Sequence, residues 1–312
     1  MRISARPAAA TAAVATLFAL TACSTDSADS TSDTTSAAAT GVSVVTSTNV
    51  YGDIVEQVGG DLVDVTSIIS DPSADPHSYE ANAQTQLALS EAALVIENGG
   101  GYDDFVDTML SSLDDQPELI NVVDLSGKTA EDGEELNEHV WYDFPTVVTL
   151  ADEIADQLSA LDPDNADTYA ANAATFTDQV DALESETATM NEEYAGLGVA
   201  ITEPVPGYLL DAVGLDNLTP DEFSESIEEE TDVPATVLQE TLALFTDHQV
   251  AALVYNEQTT GSETEQVLAA AEDNDIAVVP VTETLPEGED YVSWMTANLT
   301  ALDEALSTAS EQ

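Results

Sequence analysis

The sequence predicts an α/β protein of two lobes, each a mainly parallel sheet flanked by helices, joined by one long rigid helix. Three observations carry that expectation. The chain has 312 residues, about twice a common domain length. Its 43% hydrophobic residues are enough to bury real cores. Short Val/Ile/Leu/Ala clusters alternate with stretches of helical periodicity, as strands and crossover helices of a parallel sheet do.

The N-terminus comes first. Arg2 and Arg6 form a short basic region, Ala8 to Leu20 an apolar stretch too short for a usual membrane span, and Leu20-Thr21-Ala22-Cys23 follows. This resembles a bacterial lipoprotein signal, which implies a leader over 1–22 and acylation of Cys23. The alternative is an ordinary secretory leader followed by a stray thiol. Cys23 is the only cysteine, so no disulfide forms within the chain. Residues 23–40, built of Ser, Thr, Asp and Ala, read as a flexible tether. No later segment is apolar and long enough to cross a bilayer.

An N-terminal α/β lobe is expected over 41–160. Val42 to Thr48 and Leu62 to Ile69 read as strands around a helix at Tyr51 to Val58. A helix at Gln84 to Ala92, a strand at Ala93 to Glu97, a helix at Tyr102 to Leu113 and a strand at Leu119 to Val123 repeat the pattern. Lys128 to Glu138 reads as an acidic loop. Asp143 is placed to cap a helix that has Pro145 in its first turn and runs to about Leu161. The linking helix falls within 161–195. Tyr169, Ala173, Phe176, Val180, Leu183 and Met190 keep helical spacing over about 45 Å, longer than one small lobe needs. The C-terminal lobe, 196–312, is expected to have strands at Val199 to Thr202, Val250 to Tyr255 and Ile276 to Val281. Helices near Val205 to Val213, Ala235 to Thr246, Glu263 to Ala271 and Tyr291 to Leu306 alternate with them.

Charge excludes some functions. The chain holds 62 acidic residues against 3 basic ones, and two of the three precede Cys23, leaving Lys128 alone. Nucleic acid is excluded as a partner, because phosphate binding needs a Lys/Arg patch. A surface this acidic gathers cations diffusely, yet selecting one ion requires a defined site. Self-repulsion on this scale suits a salty habitat, where the screening length falls to about 3 Å at 1 M salt.

Three histidines can be weighed one by one. His77 lies in Asp75-Pro76-His77-Ser78-Tyr79-Glu80 after a strand, where Pro76 helps to aim the ring and where α/β proteins place ligands. His139 lies in His139-Val140-Trp141-Tyr142-Asp143. If that stretch is extended, His139, Trp141 and Asp143 share a side, so a ring could shield the site while a carboxylate orients its groups. The bland alternative is a surface histidine beside a core tryptophan. His248, in Thr246-Asp247-His248-Gln249, reads as an ordinary helix-terminal residue.

These segments, with Leu161-Asp162-Pro163, Tyr169-Ala170-Ala171-Asn172 and the long helix, resemble the cluster A-I metal-binding lipoproteins of manganese and zinc ABC importers. The likeness runs from Val42 to Leu306. It implies two α/β lobes joined by a long helix with the ion between them, on a chain anchored by lipid at the outer face of the membrane, monomeric, and serving a permease driven by an ATPase. Carried over position by position, His77 and His139 match the two N-lobe histidines, and Glu203 in Thr202-Glu203-Pro204 takes the third ligand position. Glu283 in Val281-Thr282-Glu283-Thr284 takes the fourth, which is usually Asp. Glu287 and Asp290 are the substitutes for Glu283.

Two imidazoles and two carboxylates neutralise a divalent ion. With no thiolate and no histidine-rich loop, this set favours Mn2+, with Zn2+ next and iron third. Catalysis is not expected. There is no His-Glu-x-x-His helix for a metallohydrolase, four protein ligands leave little open coordination, and Ser78 lacks a nucleophile-elbow pattern. A surface adhesin is the other reading weighed, and no segment identifies a host ligand. Binding of an organic solute would predict an arginine-lined or aromatic cleft, and the chain beyond Cys23 has no arginine.

Overall fold

The first lobe of the computed structural model, which describes residues 41–71, 79, 81–130 and 136–310, is built on β1 (Val42–Thr48), β2 (Val63–Ile69), β3 (Leu94–Glu97) and β4 (Glu118–Asn121) in the order β2-β1-β3-β4. All three pairings are parallel. Its helices are α1 (Asn49–Gly59), α2 (Ala83–Glu91), α3 (Phe105–Leu110), α4 (Val122–Ser126) and α5 (Phe144–Leu161), and α6 (Ala166–Tyr194) then leaves the lobe. The second lobe repeats the plan with β5 (Gly198–Ile201), β6 (Asp216–Asn217), β7 (Ala252–Asn256) and β8 (Ala277–Val281) in the parallel order β6-β5-β7-β8. Around it lie α7 (Gly207–Val213), α8 (Asp221–Glu228), α9 (Ala235–Thr246), α10 (Ser262–Asp273) and α11 (Tyr291–Ser310). No helix among the described residues is long and apolar enough to cross a membrane.

Strand alternation divides the apolar side chains between layers. Val44, Leu94 and Ile96 of the first sheet, and Val199, Ile201, Ala252 and Val254 of the second, belong to one continuous core shared with α1, α5, α6, α7 and α11. Their sequence neighbours face the other way: Val45 and Val95 pack with Leu89, Val106 and Leu110, and Ala200 and Leu253 pack with Phe223, Phe245 and Val267. Each sheet is covered on both faces, as parallel sheets require.

The 29-residue α6 buries Tyr169, Ala173, Phe176, Val180, Leu183, Thr187, Met190 and Tyr194 along one stripe, the spacing expected from the sequence. Asp143 caps α5 by accepting from the Thr146 N–H at 3.2 Å.

Several boundaries differ from the sequence expectation for visible reasons. Gly99, Gly100 and Gly101 all take positive φ (78°, 71° and 103°), so the chain turns there and α3 starts only at Phe105. Asn121 ends β4 early because its side chain accepts from the Asp124 N–H at 2.9 Å and caps α4, a helix the sequence reading did not assign. Pro204 and Pro206 delay α7 to Gly207. Strand β6 and helix α8 fill a stretch the sequence reading left without structure. The stretch after His139 is not extended: Val140–Tyr142 is a 3-10 turn.

In both sheets the chain order reverses beside the first strand, between β1 and β3 and between β5 and β7. Open parallel sheets leave a crevice past the carboxyl ends of the strands at such a point. Glu203 lies two residues past β5, and Glu283 two residues past β8.

Candidate metal centre

His139 emerges from the loop before the 3-10 turn and is completely buried. Its Nδ1 lies 2.9 Å from Asn137 Oδ1, which also accepts the His139 backbone N–H at 3.0 Å. Because Oδ1 only accepts, the contact assigns the proton to Nδ1 and turns Nε2 toward the lobe interface. Asn137 is itself held by the opposite lobe, where its Nδ2 donates to the Pro204 carbonyl at 2.9 Å and its carbonyl accepts from the Tyr208 hydroxyl at 2.6 Å. Trp141 and Tyr102 wall the ring, with centroids 5.1 and 5.9 Å away.

Two carboxylates of the second lobe face Nε2. Glu228 Oε1 is 3.2 Å from it, and Glu283 Oε2 is 4.0 Å from it. Donor atoms about 2.1 Å from one common cation stand roughly 3.0–3.4 Å apart at octahedral or tetrahedral angles. The first distance falls within that range. Glu283 accepts from Asn256 Nδ2 at 2.9 Å and from the Tyr102 hydroxyl of the first lobe at 3.2 Å, and its backbone N–H donates to Gln258 Oε1.

Glu203, 2% exposed, keeps Oε2 buried with no hydrogen-bond partner among the described residues. Burial, followed by the charges of Glu228 and Glu283, pushes its carboxyl up to about 8, against hydrogen bonds from Asn256 and Thr259 that lower it. Burial works to lower the His139 imidazole, yet Glu228, helped by Glu138 and Glu283, carries it above the ordinary value. Three acids around one imidazole make a cluster electrostatically suited to a cation. Glu138 adds a carboxylate at the rim, where ligand atoms of Glu138, His139 and Glu228 lie within 4.8 Å of one another.

Of the residues expected from the sequence, His139, Glu203 and Glu283 converge here. His77 and Cys23 lie outside the described residues. Tyr79, close to His77 in sequence, packs on Phe105 at 4.8 Å between centroids and shares a 2.8 Å hydrogen bond with Thr85. Glu287 and Asp290 are exposed, and Asp290 accepts from the Ser293 N–H at the start of α11, so neither stands in for Glu283. His248 is exposed at the end of α9 with φ 52°, a helix-terminal residue as expected. Asp143, expected to orient groups beside His139, instead caps α5 and pairs with Lys128 at 2.9 Å. Asn137 performs the orienting.

Sequence reasoning missed Asn137 and Glu228. The signal for Glu228 lies in helical spacing, since Phe223, Ser224 and Ile227 are buried on α8 and a residue four beyond Ser224 shares their face.

A family model described as "Zinc-uptake complex component A periplasmic" matches residues 44–305. The manganese-binding lipoprotein MntA of Halalkalibacterium halodurans is 28% identical over 229 residues, covering 67% of this chain and 74% of that protein. A crystal structure of ZnuA superposes with a TM-score of 0.69 at 23% identity, covering 86% of this chain and 98% of the other. The laminin binding protein Lmb of Streptococcus agalactiae, described as bifunctional with adhesin and metal transporting activity, gives a TM-score of 0.70 at 22% identity over 85% of this chain and 99% of that one. At these identities the two structural likenesses establish the fold alone.

Proposed function

This chain belongs to the periplasmic zinc-uptake component A family, and from that premise we propose that it captures one divalent transition-metal ion between its lobes as the solute-binding component of an ABC importer. Members of this family bind solute for importers rather than catalyse reactions, and they work with a permease and its ATPase. The observation that carries the reading for this chain is the convergence of His139 from one lobe with Glu203 and Glu283 from the other, all buried. Their charge is balanced by no lysine, because Lys128 is paired with Asp143.

His77 completes the ligand set from the first lobe. Mn2+ is the favoured cargo and Zn2+ the next, since carboxylates outnumber imidazoles among the gathered donors and no thiolate is present. The chain acts as a monomer at the outer face of the membrane, held there by lipid on Cys23. Among the described residues no feature points to an adhesin role.

Calorimetric titration of chelator-stripped protein with Mn2+ and Zn2+ tests the reading. One ion per chain is expected, with affinity lost by a hundredfold or more in His139→Ala, Glu203→Ala and His77→Ala and unchanged in His248→Ala. Equal losses in all four variants, or no uptake by the unaltered chain, would end it.

A further inference from the structure

We infer that Glu228, the last residue of α8, coordinates the captured ion directly, as a ligand beyond the four that the family resemblance supplies. The inference rests on the metal-capture reading and deepens it.

The first observation is distance. Glu228 Oε1 approaches His139 Nε2 to 3.2 Å, closer than the 4.0 Å of Glu283 Oε2, and its side chain is 11% exposed. An ion bound at Nε2 therefore meets Glu228 at least as readily as Glu283. The second is the unsatisfied, buried Oε2 of Glu203 in the same cluster, which marks a place for a ligand atom that the protein does not fill. The third is electrostatic. A helix C-terminus carries negative partial charge, so a carboxylate on the final residue of α8 is unfavourable by itself, and here it stands beside Glu203 and Glu283 as well. The one lysine of the described chain is committed to Asp143. A bound dication offsets all three carboxylates at once.

Glu228 also lines a cleft of about 390 Å3 with Glu138, Asp221, Glu225 and Glu229, so it stands where an acidic approach from solvent reaches the buried donors. A third carboxylate hardens the site and turns its selectivity toward Mn2+. The extra negative charge is moderated by the donors to Glu283 from Asn256 and Tyr102.

The test compares Mn2+ and Zn2+ titrations of the unaltered chain with Glu228→Gln, Glu228→Asp and, as a control for net charge, Glu229→Gln. Melting of the ion-free variants checks folding. Should the Gln variant fail to fold, the Asp variant, which withdraws the carboxylate by one methylene, carries the comparison. The expected result is at least a tenfold weakening of Mn2+ binding at position 228, a smaller loss for Zn2+, and no change at position 229. If Glu228 merely hydrogen-bonds His139 in the empty protein and must be displaced, its removal tightens binding. Tighter or unchanged Mn2+ affinity overturns the assignment while leaving metal capture intact. Loss of both metals in equal proportion assigns a structural role and also overturns it. Failure of the unaltered chain to take up either metal removes the underlying reading instead.

Discussion

The side-chain amide of Asn137 holds the imidazole of His139 through Oδ1 and the Pro204 carbonyl of the second lobe through Nδ2, while the Asn137 backbone carbonyl accepts from the Tyr208 hydroxyl. Replacing it with Ala frees the ring to rotate and to take the other tautomer, so metal affinity should fall about 10–100-fold with the ligands themselves untouched. Titration calorimetry on Asn137→Ala checks this. Buried carboxyls make stability depend on pH. Glu203 rises from 4.5 to about 8, Glu97 from 4.5 to about 7 and Asp53 from 3.8 to about 6, each chiefly through burial. A carboxyl whose folded pKa is raised takes up a proton on folding, so its contribution is full below its unfolded value and is lost as pH rises through the folded value. The ion-free protein should therefore melt several degrees higher at pH 5.5 than at pH 8, and Glu203→Gln should flatten that difference. Scanning calorimetry in about 1 M salt, which screens the surface charge, is the measurement. Metal uptake runs the opposite way, since the ion needs Glu203 deprotonated, and should weaken in acid. At this scale His139 draws notice as one of three histidines, whereas Glu203 and Glu283 were singled out through the family resemblance; the structure buries all three. Glu228 hides in Glu228-Glu229-Glu230 within a chain of 62 acids, and Asn137 has no charge to draw notice.

Among elements, α6 was the most legible. Its buried stripe follows a 3–4 spacing from Tyr169 to Tyr194 without a break, and neither glycine nor proline interrupts it. Phe176 in that stripe meets Tyr291 of α11 at 5.9 Å between ring centroids, and the Tyr291 hydroxyl donates to the Trp141 carbonyl at 2.7 Å. Phe176→Ala should cost about 3–5 kcal/mol of unfolding free energy, measurable by denaturant titration. The cost should appear as one cooperative transition, because these aromatics tie the second lobe's last helix to the wall of the site. The less legible elements are short or governed by local hydrogen bonds. Strand β6 has two residues, α4 depends on the Asn121 cap, and α8 combines a small buried face with so many acids that its periodicity is masked. Where side-chain packing sets an element, the pattern is visible in advance. Where a single cap or a run of positive-φ glycines sets it, only the folded structure reveals it.

Across the whole molecule, one apolar core runs through the inner faces of both sheets and the helices between them. A hinge that opened the lobes widely would expose it, so metal capture should proceed by local movement of loops such as the one bearing Glu283. Small-angle scattering with and without Mn2+ should give radii of gyration that differ by less than about 1 Å, whereas hinge closure in other binding proteins is a larger domain movement. The charge of the whole chain leads to a further expectation. With 62 acidic residues and 3 basic ones, repulsion falls as salt rises, and melting temperature should climb between 0.1 and about 1 M KCl in the ion-free protein.

Lys128, which rests 4.5 Å over the Tyr208 ring and pairs with Asp143, is the only lysine or arginine beyond Arg6. Trypsin consequently has a single peptide bond to cut beyond Arg6, that between Lys128 and Thr129. An amine-reactive fluorophore would likewise find one side chain, seated on the seam where the two halves meet. A chain so poor in amines thus carries a built-in address for a reporter of that seam, with no cysteine to engineer and, once the α-amino group is blocked, no competing label to remove.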